Sequence, residues 1–319
     1  MRGLKKSFFD KWENSDLKKF YINHKEDLFL GIRLNYINLY YKGNSICRVE
    51  ERSAKHGDPF RYTIANRYLN PNDKKGSTRI TIDELITKYD IIKQNIDDSD
   101  NNLTIDEKVA QQLLIRNNNN NPDSDWYCID MEYIKKRNNK TEKLFGRFDI
   151  IAVSREKPYR TALIELKYGT GAIGGEAGVC KHAKDYFMFT DRNEFETNLK
   201  SEICSMINSY RRLVSSPLED VFEYDFLHIP EIYFIALDNK KDKVRERMQH
   251  YLLDRPGYST KNFEKWVKDE QIPKEKFKFF NPVFLFSDLG LSLGGNELHI
   301  DNIIDHDYER GLLVQTDNN

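Results

Sequence analysis

Three charged residues stand inside two otherwise apolar runs. Asp149 lies within Gly146-Arg147-Phe148-Asp149-Ile150-Ile151, and Glu165 and Lys167 lie within Leu163-Ile164-Glu165-Leu166-Lys167-Tyr168-Gly169. Charges in such β-branched surroundings are costly unless they bind a metal, a substrate or one another. Paired carboxylate oxygens, helped by the Leu166 backbone carbonyl, are hard ligands suited to Mg²⁺ or Mn²⁺, with an open position for water. A metal held there lowers the pKa of that water and neutralises charge on a developing phosphorane or leaving oxygen. Lys167 can orient or deprotonate the attacking water, or stand as a fixed cation beside the transition state. The set suits phosphodiester hydrolysis; its plainer counterpart is an ion pair on a solvated sheet face.

Both runs are expected to be neighbouring strands. Alternation puts Leu163, Glu165 and Lys167 on one side of the second strand and Ala162, Ile164, Leu166 and Tyr168 on the other, a core face. If the strand at Phe145 to Val153 pairs beside it, Asp149 stands opposite Glu165, about 5 Å away at Cβ. Ahead of these runs, Thr104-Ile-Asp-Glu opens a helix with Val109, Leu113 and Leu114 on one face. The Asn117 to Asn121 run reads as a surface loop, and Trp126 to Ile134 as the first of three meandering strands. Beyond Lys167, Tyr168 to Gly175 is glycine-rich but lacks the Lys-Ser/Thr that ends a P-loop, so it reads as a substrate-side loop. A helix follows in which His182 and Tyr186 share a face and Lys181 neighbours Asp185. Glu194 to Leu213 suggests a long helix, Glu231 to Asp238 a buried strand, Lys240 to Leu253 a charged helix and Phe277 to Phe286 another strand.

An Asp at the end of one strand, then Glu-x-Lys on the next, in the order helix, three strands, helix, strand, resembles the PD-(D/E)XK nuclease superfamily. Here the motif is Asp149, Glu165 and Lys167, with Phe148 where a Pro often precedes the Asp. The resemblance runs from the helix near Ile105 to the strand near Phe284. It implies an α/β fold with a central mixed sheet, the restriction-endonuclease-like αβββαβ core, flanked by helices. It also implies that Asp149, Glu165 and Leu166 ligate Mg²⁺ or Mn²⁺. Family members often add an acid from the first helix, for which Glu107 is the candidate; pairing with the helix dipole is the other account of Glu107. The helix after the Glu-x-Lys strand commonly meets the scissile phosphate, a role open to Lys181, His182 and Tyr186, as is a solvated amphipathic face.

The 319 residues, 39% hydrophobic and 32% charged, suit a folded protein with long polar loops, divided as a β-rich module at 1–96, a nuclease-like domain at 103–290 and an extension at 291–319. The module turns a hairpin at Gly43, and its alternating Tyr and Asn residues form either a base-stacking surface or a half-buried sheet face, the second preferred. A net charge of −1 gives no global pull toward nucleic acid, leaving local clusters such as Lys135-Lys136-Arg137 with Lys140, and Lys240-Lys241 through Arg247. Cys47, Cys128, Cys180 and Cys204 form no Cys-x-x-Cys pair, so neither zinc nor a disulfide framework is indicated. His299 and Asp301 alternate with apolar neighbours as on an ordinary strand, and Glu132 fits an outward-facing strand position. No run approaches the roughly 18 apolar residues that span a bilayer, so a cytoplasmic location is expected.

The expected activity is therefore metal-dependent cleavage of nucleic acid, DNA rather than RNA, with specificity drawn from nucleic-acid structure, the N-terminal module, self-association or a partner subunit. Two other functions remain open. One is a nuclease fold kept for binding or scaffolding; the other is a phosphodiesterase for a small nucleotide, favoured by a closed pocket over Glu165.

Overall fold

The computed structural model describes residues 2–53, 57–98, 104–135, 146–175, 177–237, 241–280, 282–287 and 297–299. In chain order its elements are α1 (Lys6–Trp12), α2 (Asp16–His24), β1 (Leu28–Ile32), β2 (Tyr36–Tyr41), β3 (Asn44–Glu51), β4 (Phe60–Ala65), α3 (Asn66–Leu69), β5 (Ser77–Ile80), α4 (Ile82–Asp98) and α5 (Thr104–Asn120). Then come β6 (Trp126–Ile134), β7 (Arg147–Ser154), β8 (Thr161–Tyr168), α6 (Val179–Asp191), α7 (Lys200–Leu213), β9 (Glu231–Leu237), α8 (Lys241–Leu252), α9 (Phe263–Asp269), β10 (Val283–Ser287) and β11 (Glu297–His299). The chain is α/β, with two sheets divided between two compact units: Met1–Leu113 with Lys200–Glu223, and Leu114–Leu199 with Tyr224–Asn319.

The first unit holds an antiparallel sheet in the order β1-β2-β3-β4-β5. Lys42 and Gly43 both have positive φ, 45° and 68°, the pair of left-handed residues that a two-residue type I′ hairpin needs. Ile37, Leu39, Val49, Tyr62 and Ile64 are buried on one face, whereas Tyr36, Asn38, Arg48, Arg61 and Thr63 remain half-buried or exposed. Period-two alternation is the cause, up to the register shift between Leu39 and Tyr40. Thr81 and Glu84 exchange bonds as a capping box at the start of α4, with Glu84 N donating to Thr81 Oγ1 at 3.1 Å and Thr81 N to Glu84 Oε2 at 2.9 Å.

The second unit holds a mixed sheet in the order β11-β10-β9-β8-β7-β6. Strands β6, β7 and β8 meander antiparallel, and β9 returns parallel to β8 after α6, with Glu165 beside Phe234. Parallel return requires a crossover, and the segment containing α6 supplies it. Strand β8 is buried along nearly its whole length on both faces, not solvated on one. That is the pattern of a central strand covered on each side.

Several sequence expectations are corrected. The Asn-rich run does not form a loop from residue 117: α5 continues to Asn120. Its poor helix formers are held by side-chain bonds, with Asn118 Nδ2 donating to the Leu114 carbonyl at 2.8 Å and Ser124 Oγ to Asn118 Oδ1 at 2.8 Å. Asn119 pairs its amide with the backbone of Cys128 in both directions, at 3.0 and 2.7 Å. The buried residues of α5 centre on Ala110, Gln111, Leu114, Ile115 and Asn118, while Val109 and Leu113 are half-buried. Ahead of α7, Phe195–Leu199 is a turn of π-helix that interrupts the expected long helix. Lys274–Phe279 is a 3₁₀ helix, so the last long strand starts at Val283. The basic positions 136, 137, 140 and 240, Phe145, Asp301 and most of the C-terminal extension lie outside the described residues, as does 99–102 of the Asp97–Asn102 segment read as a polar break, whose first two residues end α4. No helix among the described residues is long and apolar enough to cross a membrane.

Candidate active site

The β7–β8 ladder runs from Val153 beside Thr161 to Ile150 beside Ile164. One further step of the same register sets Asp149 opposite Glu165, and there the ladder stops. The Asp149 carboxylate takes over the vacated donor: its Oδ2 accepts from the Leu166 backbone N–H at 2.8 Å. A carboxylate thus fills the gap between two strands at their point of divergence. In a strand the N–H and C=O of one residue point to the same edge, so the Leu166 carbonyl faces that gap as well.

Glu165 collects the rest of the cluster. Its Oε1 lies 2.5 Å from Lys167 Nζ and 3.1 Å from His182 Nε2, and its Oε2 accepts from the Tyr186 hydroxyl at 2.6 Å. Glu165 is 1% exposed, Asp149 and Lys167 6% and His182 7%, a burial at which unpaired charge would be prohibitive. Tyr186 and His182 reach the same carboxylate because they sit one helical turn apart on α6.

Aromatic packing fixes α6. Tyr186 lies 5.0 Å from the ring of Phe148 and 5.5 Å from that of Phe234 on the sheet. One residue on, Phe187 enters a second cluster with Phe277 at 4.6 Å, Phe280 at 5.6 Å and Trp266 at 5.9 Å. Burying each such ring contributes about 1.5–3 kcal/mol, enough to hold the helix in register over β8.

Burial holds the His182 imidazole down to about 3, and the positive charges of Lys167, Lys181 and Arg147 add to that effect. The ring is neutral near pH 7, and its bond to Glu165 makes Nε2 the protonated nitrogen. Tyr186 is pushed well above its ordinary value by burial, then by the charges of Glu165 and Asp149, so it remains a phenol and donates to Glu165. Glu165 is accordingly met by Lys167 and by two neutral donors, while Asp149 binds the Leu166 N–H. That donor set, hard oxygens with an edge carbonyl, fits Mg²⁺ or Mn²⁺, since Mg²⁺ is usually held by one or two carboxylates with waters filling the remaining positions. Among the described residues no group of three or more His, Cys, Asp and Glu side chains is arranged to hold a metal.

The other expected residues are placed as follows. Lys181 is exposed and lies 3.5 Å from Asp185. Glu107 is half-buried on α5 in the first unit, whereas the cluster belongs to the second. Glu132 has φ 54° and stands 4.0 Å from Arg147. All four cysteines are free and buried, with Cys128 in the core of β6. Asp130, which the sequence reading passed over, is a fully buried carboxylate on β6 beside Ile151. Its signal was available: a charge inside the apolar run Tyr127-Cys128-Ile129-Asp130-Met131.

The chain matches no family model, no curated protein and no solved structure.

Proposed function

We propose that the chain is a metal-dependent nuclease that hydrolyses phosphodiester bonds, with DNA favoured over RNA as substrate. The observation that carries this reading is the buried Glu165–Lys167 pair with Asp149 bound to the intervening Leu166 N–H, where the β7–β8 ladder stops. The order of three antiparallel strands, α6 and a parallel β9, preceded in the chain by α5, supports reading the second unit as a restriction-endonuclease-like core. Asp149, Glu165 and the Leu166 carbonyl would hold the metal. Bound there, Mg²⁺ or Mn²⁺ supplies an activated water and a Lewis acid for the phosphoryl oxygens. Lys167 keeps an ammonium against the carboxylate pair and stabilises negative charge gathering on phosphate. Neutral His182 and Tyr186 hold Glu165 by hydrogen bonds, which fixes the direction of its oxygens without adding charge. Lys181, exposed on α6, offers a cation to the substrate backbone.

A second reading has one observation in its favour. Both oxygens of Glu165 already accept from Lys167, His182 and Tyr186, as expected of a structural network in a fold kept for binding or scaffolding. Calorimetric titration with Mn²⁺ separates the two. The nuclease reading expects one Mn²⁺ per chain, lost in Asp149→Ala; a chain that binds none supports the structural network. A cleavage panel of supercoiled, linear and single-stranded DNA and of RNA then identifies the substrate, with DNA expected to be cut faster.

A further inference from the structure

Beyond the Glu165 cluster, the second unit contains a cleft of about 550 Å³. Thr170, three residues past Lys167, opens it; α8 forms one wall and Gly257-Tyr258-Ser259 another. On α8, Lys243, Glu246, Arg247 and His250 line the cleft at i, i+3, i+4 and i+7, so a single helix face is turned to it. Lys243 and Arg247 are exposed, and neither has a carboxylate partner among the described residues. Glu246, also exposed, stands 4.0 Å from His250, so one carboxylate lines the cleft beside the two cations. The imidazole of His250 stacks on the ring of Tyr258 at 3.9 Å and 18°.

We propose that this cleft binds one nucleotide unit, with its phosphate on Lys243 and Arg247 and its base against the His250–Tyr258 pair. Two exposed cations, Arg247 lying 5.9 Å from the Tyr251 ring, suit a phosphate, and a flat aromatic wall suits a base of any identity, because every base has a π face. The volume lies within the range of small-ligand clefts. Position adds the link to catalysis: three residues of chain reach at most about 10 Å, so Thr170 sits a short step from Lys167. A strand cut at the Glu165 cluster would therefore place a neighbouring nucleotide here, a point that rests on the nuclease reading; the affinity of the cleft for a nucleotide does not.

The test is calorimetric titration of the full chain with adenosine 5′-monophosphate and, separately, with inorganic phosphate. The monophosphate is expected to bind more tightly than phosphate and to weaken with added salt. Joint replacement of Lys243→Ala and Arg247→Ala should lower its affinity on the order of tenfold or more. Tyr258→Ala should weaken the monophosphate and leave phosphate unchanged, while Tyr258→Phe, which keeps the stack, should bind as the parent does. Thermal melting of each variant identifies any that has lost its fold. No binding at millimolar monophosphate, equal affinity in the folded double variant, or equal affinity for phosphate and monophosphate overturns the proposal. Asp149→Ala, titrated alongside, should bind the monophosphate normally. A parent chain that cleaves DNA but binds no monophosphate removes the cleft alone, whereas cleavage surviving in Asp149→Ala removes the nuclease reading and leaves the cleft standing.

Discussion

At Glu165, three donors converge on one buried carboxylate, and removing any one leaves a lone pair without compensation. Tyr186→Phe deletes only the hydroxyl that donates at 2.6 Å. It is expected to cost about 1–3 kcal/mol in urea unfolding, the usual penalty for an unsatisfied buried polar group. An unchanged midpoint would show that the bond contributes nothing. Glu264 provides a second residue-scale test. It is wholly buried, its Oε2 accepts from Asp254 N at 2.7 Å, and burial raises its carboxyl above the ordinary 4.5 despite that bond and the charge of Lys268. A folded-state pKa above the unfolded one means the folded chain binds the proton more tightly. Its stabilisation is full below pH 4.5 and is lost as pH rises through the folded value. Glu264→Gln can keep the bond from Asp254 and has no proton to lose. Its urea midpoints should therefore fall less than those of the parent on the alkaline side of pH 4.5; parallel curves would contradict this.

At the scale of elements, α6 decides whether the cluster forms, and Gly178 decides where α6 begins. A Cβ on Gly178 would lie 2.5 Å from the Ile173 carbonyl oxygen, against backbone that cannot rotate away. Gly178→Ala should cost about 1–3 kcal/mol by overpacking and weaken Mn²⁺ binding by shifting His182 and Tyr186; parent-like stability and affinity would contradict the assignment. The strands β6 to β8 were legible because apolar runs broken by turn residues carry their own period, and Asp149, Glu165 and Lys167 stood out as charges in those runs. What stayed illegible depended on partners distant in sequence. Asn118 and Asn119 read as loop because their compensating bonds come from Ser124 and Cys128, across the turn that follows α5. His182 and Tyr186 were seen to share a helix face, but only packing of Phe187 among Phe277, Phe280 and Trp266 turns that face to Glu165. Asp130 is marked in sequence as a charge inside an apolar run, but its complete burial follows from tertiary cover alone.

For the whole molecule, the first unit is discontinuous in sequence. A boundary at 97–102 follows composition, yet Lys200–Glu223 returns to the first unit through contacts that no local pattern announces. The Trp12 indole N–H, in a fully buried ring, donates to the Leu213 carbonyl at 2.9 Å, and Arg212 covers the ring of Phe9 at 3.8 Å. A fragment of residues 1–113 should therefore lack a cooperative thermal transition, and joining 200–223 to it should restore one; a cooperative melt of 1–113 alone would contradict this. The nuclease reading itself is tested most directly by cleavage of DNA in Mg²⁺ or Mn²⁺ by the parent chain beside Asp149→Ala and Lys167→Ala. The account predicts metal-dependent cleavage by the parent, abolished by EDTA and reduced on the order of a hundredfold or more in each variant. Cleavage that persists in EDTA, or in both variants at the parent's rate, would contradict it.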